Sequence, residues 1–169
     1  LARLEARTAE LLGHEAALFV PTGSMGNQVA LRVHGRSGTE VLVEARSHVF
    51  HYEMGAMAAL SGLLPRPVAG PGGRMPVAGI EAWIRPESVY YLPRTSVVCL
   101  ENTHNFAGGT VLPRPAIEEV LDLNPRMSAL DVGGGTGRLS ILLADRVGSA
   151  VVTDPSAGMV QVAYTWLGV

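Results

Sequence analysis

The sequence contains no lysine: all 13 basic residues of the 169-residue chain are arginines. A reaction that needs the amine of a lysine side chain therefore cannot take it from these residues. The single cysteine, Cys99, excludes an internal disulfide, and its apolar run SVVCL indicates a core position in a protein of a reducing, cytoplasmic compartment. No apolar run approaches the roughly 20 residues of a membrane-spanning helix. A net charge of -2 gives no electrostatic reason to expect nucleic acid or an anionic membrane as partner.

The residues that are present have the balance of a globular protein, with 47% hydrophobic and 17% charged residues. Short apolar runs alternate with helical periodicity, which predicts an α/β fold with parallel strands. We expect a first helix over residues 1–12, with an apolar face formed by Leu1, Leu4, Leu11 and Leu12. We expect a second helix after Pro21, with an apolar side formed by Met25, Val29 and Val33. The predicted strands are AALFV, EVLVEA, LLPRPV and SVVCLEN. Because the chain begins inside a helix, we interpret it as a fragment.

A glycine turn in PTGSMGNQ places Gly23 and Ser24 at the start of the second helix. Free backbone N–H groups and the helix dipole can hold a phosphate there. Three stretches, EAALFVPTGSMGNQVALR, RSHVFHYEMGAMAALSG and PRTSVVCLENTHNFAGGTVLP, resemble in order and spacing the low-specificity L-threonine aldolases. These are pyridoxal-phosphate-dependent lyases of fold type I, the aspartate aminotransferase fold. The resemblance covers about residues 1–113.

The resemblance assigns roles to several side chains. It gives the cofactor phosphate to the turn residues Thr22, Gly23 and Ser24. It implies that His48 stacks on the pyridine ring and takes part in proton transfer, and that His104 lies near the hydroxyl of a small amino acid substrate. Phe106 departs from the arginine that often follows the ENTHN motif. The family is usually homo-oligomeric.

A second glycine loop, in LDVGGGTGR, differs from the first. The dinucleotide pattern G-x-G-x-x-G would need glycine at position 138, where Arg138 stands. Four residues alternate instead: Asp131, Gly133, Gly135 and Gly137. Asp154 ends the next predicted strand, where a carboxylate can accept hydrogen bonds from ribose hydroxyls. Over about residues 116–163 the chain resembles the motif I region of class I methyltransferases, which implies that these residues bind S-adenosylmethionine.

The two resemblances divide the chain into residues 1–114 and 115–169. The boundary lies in the proline-rich stretch Pro113-Arg114-Pro115. The predicted fold is a partial fold type I large domain followed by a partial Rossmann-like βαβ unit. The leading function is cleavage of β-hydroxy amino acids, and the missing lysine indicates that this chain alone is inactive. A methyltransferase fragment and a non-catalytic binding protein are the alternatives.

Some polar residues have simpler interpretations. His48 and His51 are spaced like a pair of metal ligands, but no third ligand is evident, which favours ordinary loop histidines. Glu44 and Glu53 are interpreted as solvated or hydrogen-bonded carboxylates.

Overall fold

A run of aliphatic residues forms β1 (Glu40–Glu44), the central strand of a parallel sheet. The structure is a computed structural model that describes residues 1–12, 14–85, 89–121, 129–132 and 150–153. The strands β2 (Leu64–Val68) and β3 (Thr95–Cys99) pair with β1 on either side, in the order β2-β1-β3. All five residues of β1 are buried, as expected for a strand covered on both faces. The strands predicted at EVLVEA, LLPRPV and SVVCLEN are confirmed.

The described part of the chain forms six α-helices. They are α1 (Ala2–Leu12), α2 (Gly23–His34), α3 (His48–His51), α4 (Ala56–Ser61), α5 (Val77–Trp83) and α6 (Arg114–Leu121). Two short 3-10 turns, Pro71–Gly73 and Asn105–Ala107, lie in the connections. None of the helices in the described ranges is long and apolar enough to cross a membrane.

The alternation of side chains along β1 divides the core into two layers. Val41 and Val43 face one side, where they pack with residues of α2, α3 and α4, namely Leu31, Val49 and Met57. Leu42 faces the other side, where it packs with Met75, with Ile80 of α5 and with Val120 of α6. Residues at i and i+2 of a strand share one face, so a single five-residue strand supplies both layers.

The helix α6 bears on where the first part of the chain ends. It begins at Arg114, and Val120 lies in the same apolar cluster as Leu42 of the central strand. After it, β4 (Ala129–Val132) and β5 (Ala150–Thr153) pair in parallel as a separate two-stranded sheet. The division into residues 1–114 and 115–169 stays a prediction, and α6 packs with the sheet of the first part.

Three details of the sequence interpretation are wrong. AALFV forms no strand, because the backbone N–H of Phe19 donates to the carboxylate of Glu5 in α1 instead of to a neighbouring strand. The predicted apolar face of α1 leaves Leu4 exposed. On α2, Met25 and Val33 are exposed, and the buried side is formed by Gly26, Gln28, Ala30 and Leu31. Hydrophobicity alone could not choose the buried side, because Gln28 is buried by its hydrogen bond and not by apolar character.

Candidate functional site

The candidate site lies at the carboxyl edge of the parallel sheet. β1 ends at Glu44, and the chain then passes through Ser47 into α3, which begins with His48. β3 ends at Cys99, and Glu101 and His104 follow in the next loop. Since neighbouring parallel strands end at the same edge, both histidines assigned by the resemblance lie at that edge. Ligand sites of open α/β sheets occur at this edge.

The amino end of α2 has the properties of a phosphate site. Thr22 is its N-cap residue, and its hydroxyl accepts a hydrogen bond from the N–H of Met25 at 3.1 Å. The N–H groups of Gly23 and Ser24 belong to the first turn, where a helix offers no acceptor of its own. A Cβ placed on Gly23 would meet nothing within 4 Å. This open, electropositive helix end fits a phosphate group.

Glu53 connects that helix to His48. The carboxylate of Glu53 is buried and accepts hydrogen bonds from the side-chain amides of Asn27 and Gln28, one turn beyond the start of α2. It also lies 3.1 Å from Nδ1 of His48. An ionised carboxylate only accepts, so Nδ1 of His48 carries the proton and donates it. One buried carboxylate therefore joins His48 to Asn27 and Gln28 of α2, the helix that the glycine turn opens.

His48 remains accessible despite this anchoring. Its side chain is 40% exposed, and the Tyr52 ring lies 5.6 Å away. Tyr52 stacks in turn on Phe106 at 5.1 Å, and both of these rings are about half exposed. The imidazole thus presents an open surface beside an aromatic pair. A flat aromatic ring can stack on such a surface.

His104 is placed differently, because its side chain is fully buried. Its Nδ1 accepts a hydrogen bond from the N–H of Ala107 at 3.3 Å, so that nitrogen has no proton. Its Nε2 therefore donates to the carboxylate of Glu44 at 2.8 Å. The ring is held as one neutral tautomer beneath the surface. The proximity to a substrate hydroxyl implied by the resemblance stays a prediction.

Three carboxylates organise this edge of the sheet, and the sequence interpretation undervalued them. Glu44 and Glu53 are buried and hydrogen-bonded, so the hydrogen-bonded alternative is confirmed and the solvated one is wrong. Glu101 is not among the candidates that the sequence suggests. No sequence pattern marks these residues, because each of them also has a partner that lies 25 to 60 positions away along the chain.

The remaining candidates are simple to place. Nε2 of His51 donates to the carbonyl of Ala45 at 2.7 Å, as an ordinary loop histidine does. Cys99 packs against the core, and burial, with the nearby charges of Glu101 and Glu53, raises the pKa of its thiol to about 12. The described residues contain no group of three or more potential metal ligands.

The residues predicted to bind S-adenosylmethionine lie largely outside the described part of the chain. Asp131 is on β4, where its backbone is in register with Val152 of β5. Gly133, Gly135, Gly137 and Asp154 fall outside the described residues.

The described sheet is the parallel sheet of an α/β protein with helices on its faces, and comparison with known proteins identifies its family. Residues 1–127 match the beta-eliminating lyase family, so the chain belongs to that family. It is 42% identical over 124 residues to a probable low-specificity L-threonine aldolase 2 of Arabidopsis thaliana, and 38% identical over 133 residues to a low specificity L-threonine aldolase of Escherichia coli.

These matches cover 72% and 78% of the chain but only 35% and 39% of the two relatives, so the chain spans little more than a third of their length. A solved structure from Exiguobacterium, described as an aromatic amino acid beta-eliminating lyase/threonine aldolase, superimposes with a TM-score of 0.65 at 20% identity. That likeness covers 97% of the chain and 51% of the other protein, and it shows the fold. None of these proteins is described as a methyltransferase.

Proposed function

We propose that this chain forms the part of a pyridoxal-phosphate-dependent aldolase that holds the cofactor phosphate and pyridine ring. The complete enzyme would cleave a β-hydroxy amino acid, such as threonine, to glycine and an aldehyde. One observation carries the proposal: the buried Glu53 joins the partly exposed ring of His48 to Asn27 and Gln28 of α2, the helix whose open amino end would hold the phosphate. The two aldolase relatives support the assignment.

Each group has a definite task in this proposal. The N–H groups of Gly23 and Ser24, with the dipole of α2, would bind the phosphate. His48 would cover one face of the pyridine ring. Because its Nδ1 donates to Glu53, its orientation is fixed and its Nε2 is left to hold or move a proton. When bound, pyridoxal phosphate supplies an electron sink for the Cα–Cβ bond that breaks.

The absence of lysine limits what these residues do by themselves. Covalent attachment of the cofactor aldehyde requires a neutral amine with a free electron pair. The 13 arginines cannot replace it, since a guanidinium stays protonated at any working pH. We therefore expect this chain to bind pyridoxal phosphate reversibly and without turnover.

The test is a fluorescence titration with pyridoxal phosphate, repeated in the presence of inorganic phosphate as competitor. His48→Phe should keep most of the affinity because it keeps a flat ring, whereas His48→Ala should weaken binding by about twofold to tenfold, in line with the roughly 0.5–1.5 kcal/mol of a ring pair. His51→Ala is the matched control, since the hydrogen bond described for this neighbouring histidine goes to the carbonyl of Ala45 and not to Glu53. Equal affinities of all four proteins, or no competition by phosphate, would refute the proposed site.

The expected lack of turnover is tested in the same preparation. Borohydride reduction followed by peptide mapping should find no cofactor adduct within the chain, and threonine should yield no acetaldehyde. A reduced adduct together with threonine-dependent acetaldehyde would overturn the reversible-binding proposal.

A second proposal concerns residues 131–154. The parallel pairing of β4 and β5 supports the predicted βαβ unit of the kind that binds S-adenosylmethionine, with Asp131 on the first strand. We propose weak binding of that cofactor by Gly133, Gly135, Gly137 and Asp154. Calorimetric titration should show heat for the unmodified chain and little for Asp154→Ala, and equal heats would discard the ribose role of Asp154.

A further inference from the structure

Glu101 joins the two loops that carry the histidines. One carboxylate oxygen accepts a hydrogen bond from the backbone N–H of His48 at 2.7 Å, and the other accepts from the backbone N–H of Asn105 at 2.9 Å. The first of these oxygens also lies 3.8 Å from Nε2 of His104. The Glu101 side chain is 18% exposed, so water competes little for its oxygens. A single side chain thus contacts the start of α3 and the 3-10 turn that follows His104.

The chemistry of these contacts explains why a carboxylate is needed. A backbone N–H only donates, and both N–H groups lie at the start of a helical turn, where no carbonyl precedes them in position to accept. To bind both backbone N–H groups at once, the side chain between them needs two acceptor oxygens and no donor of its own. An ionised carboxylate meets that requirement, whereas an amide of the same shape offers one acceptor and one donor.

A second carboxylate completes the arrangement. Glu44 accepts a hydrogen bond from Nε2–H of His104 at 2.8 Å and another from the backbone N–H of Arg46 at 2.7 Å. Glu44 therefore orients the ring of His104, while Glu101 fixes the backbone beside it and the backbone of His48. The two carboxylates differ in task, so their removal has different consequences.

We propose that Glu101 is a positioning residue that sets the distance between His48 and His104, and so shapes the site to which the proposed function assigns these histidines. It does not touch a ligand. It acts by holding the start of α3 against the loop after β3. The proposal rests on the proposed function for its purpose. The pair of hydrogen bonds from the N–H groups of His48 and Asn105 to Glu101, called the clamp below, is a property of the chain without cofactor.

The clamp is tested by amide hydrogen exchange of the full chain, followed by NMR. In Glu101→Ala, the amides of His48 and Asn105 should both exchange about tenfold faster, as the loss of a charge-assisted hydrogen bond implies. In Glu101→Gln only one of the two should accelerate, because the side-chain amide retains one acceptor. Glu81→Gln removes an exposed charge from α5 and is the matched control.

Exchange at β1 separates a local clamp from general destabilisation. The amides of Val41 and Val43 lie in the central strand, and their exchange should stay unchanged in both Glu101 variants. Uniform acceleration across the chain, β1 included, would overturn the proposal. Unchanged exchange at His48 and Asn105 in the alanine variant would overturn it as well.

The positioning role is tested by titration with pyridoxal phosphate. Glu101→Ala should bind it at least threefold more weakly than the unmodified chain and Glu81→Gln, because His48 is no longer held in place. Equal affinity would overturn the positioning role. Failure of the unmodified chain to bind pyridoxal phosphate would refute the proposed function instead, while the exchange data would still decide whether the clamp exists.

Discussion

Replacement of Gly73 by alanine gives the most direct test of how His104 is buried. Gly73 has φ of +80°, in the left-handed region, and a Cβ at this position would lie 2.6 Å from Cγ and Cδ2 of the His104 ring. Ordinary carbon contacts are about 3.5–4.0 Å. The ring cannot easily move away, because hydrogen bonds to Ala107 and Glu44 hold both of its nitrogens.

The expected loss of stability has two parts. The left-handed backbone costs an alanine about 1–2 kcal/mol, and overpacking against a fixed ring costs about 1–3 kcal/mol. Gly72→Ala separates them, since Gly72 has φ of +63° and a Cβ added there would meet no atom within 4 Å. Gly72→Ala should lose the first part alone. The difference between the two variants, about 1–3 kcal/mol, then measures the packing on His104.

Urea unfolding followed by circular dichroism measures both variants against the unmodified chain. A shift of the midpoint at constant slope reports the change in the free energy of unfolding. Equal destabilisation by Gly72→Ala and Gly73→Ala would refute the placement of the His104 ring against Gly73.

Three further predictions address other contacts. Thr22→Ala should lower the free energy of unfolding by about 1 kcal/mol through loss of the α2 cap, whereas Thr22→Ser should not; equal losses would contradict the cap. Gly35→Ala should cost about 1–3 kcal/mol in the same urea assay, because its Cβ would lie 2.7 Å from a methyl group of Leu63, and Gly23→Ala, with open space, should change stability little. Since burial and two carboxylates raise the pKa of Cys99 to about 12 from 9.0, iodoacetamide at pH 9 should alkylate the native thiol on the order of a hundredfold more slowly than the urea-unfolded one. Stability should fall as the pH rises above about 9, where the unfolded thiol loses its proton before the native one does; alkylation at equal rates would contradict the burial.

The sequence was sufficient for the elements whose character is local. EVLVEA, LLPRPV and SVVCLEN are short apolar runs bounded by turn residues, and all three form strands. The second helix starts at the glycine turn because Thr22 supplies a cap three residues before Met25. AALFV has the same apolar character as these strands but finds no partner strand in the described chain, so its composition misled the interpretation.

The sequence by itself determined that lysine is absent from these residues and that a glycine turn capped by Thr22 opens α2, because both depend on residue types and near neighbours. Only the tertiary structure decided which carboxylates matter. Glu53 reaches a partner 25 residues away on α2, and Glu101 and Glu44 reach partners 53 and 60 residues away. The last two contacts form only when the parallel strands β1 and β3 bring their carboxyl ends to one edge of the sheet. Hydrogen bonds depend on separations of about 3 Å, and no sequence pattern encodes such a separation between residues so far apart along the chain.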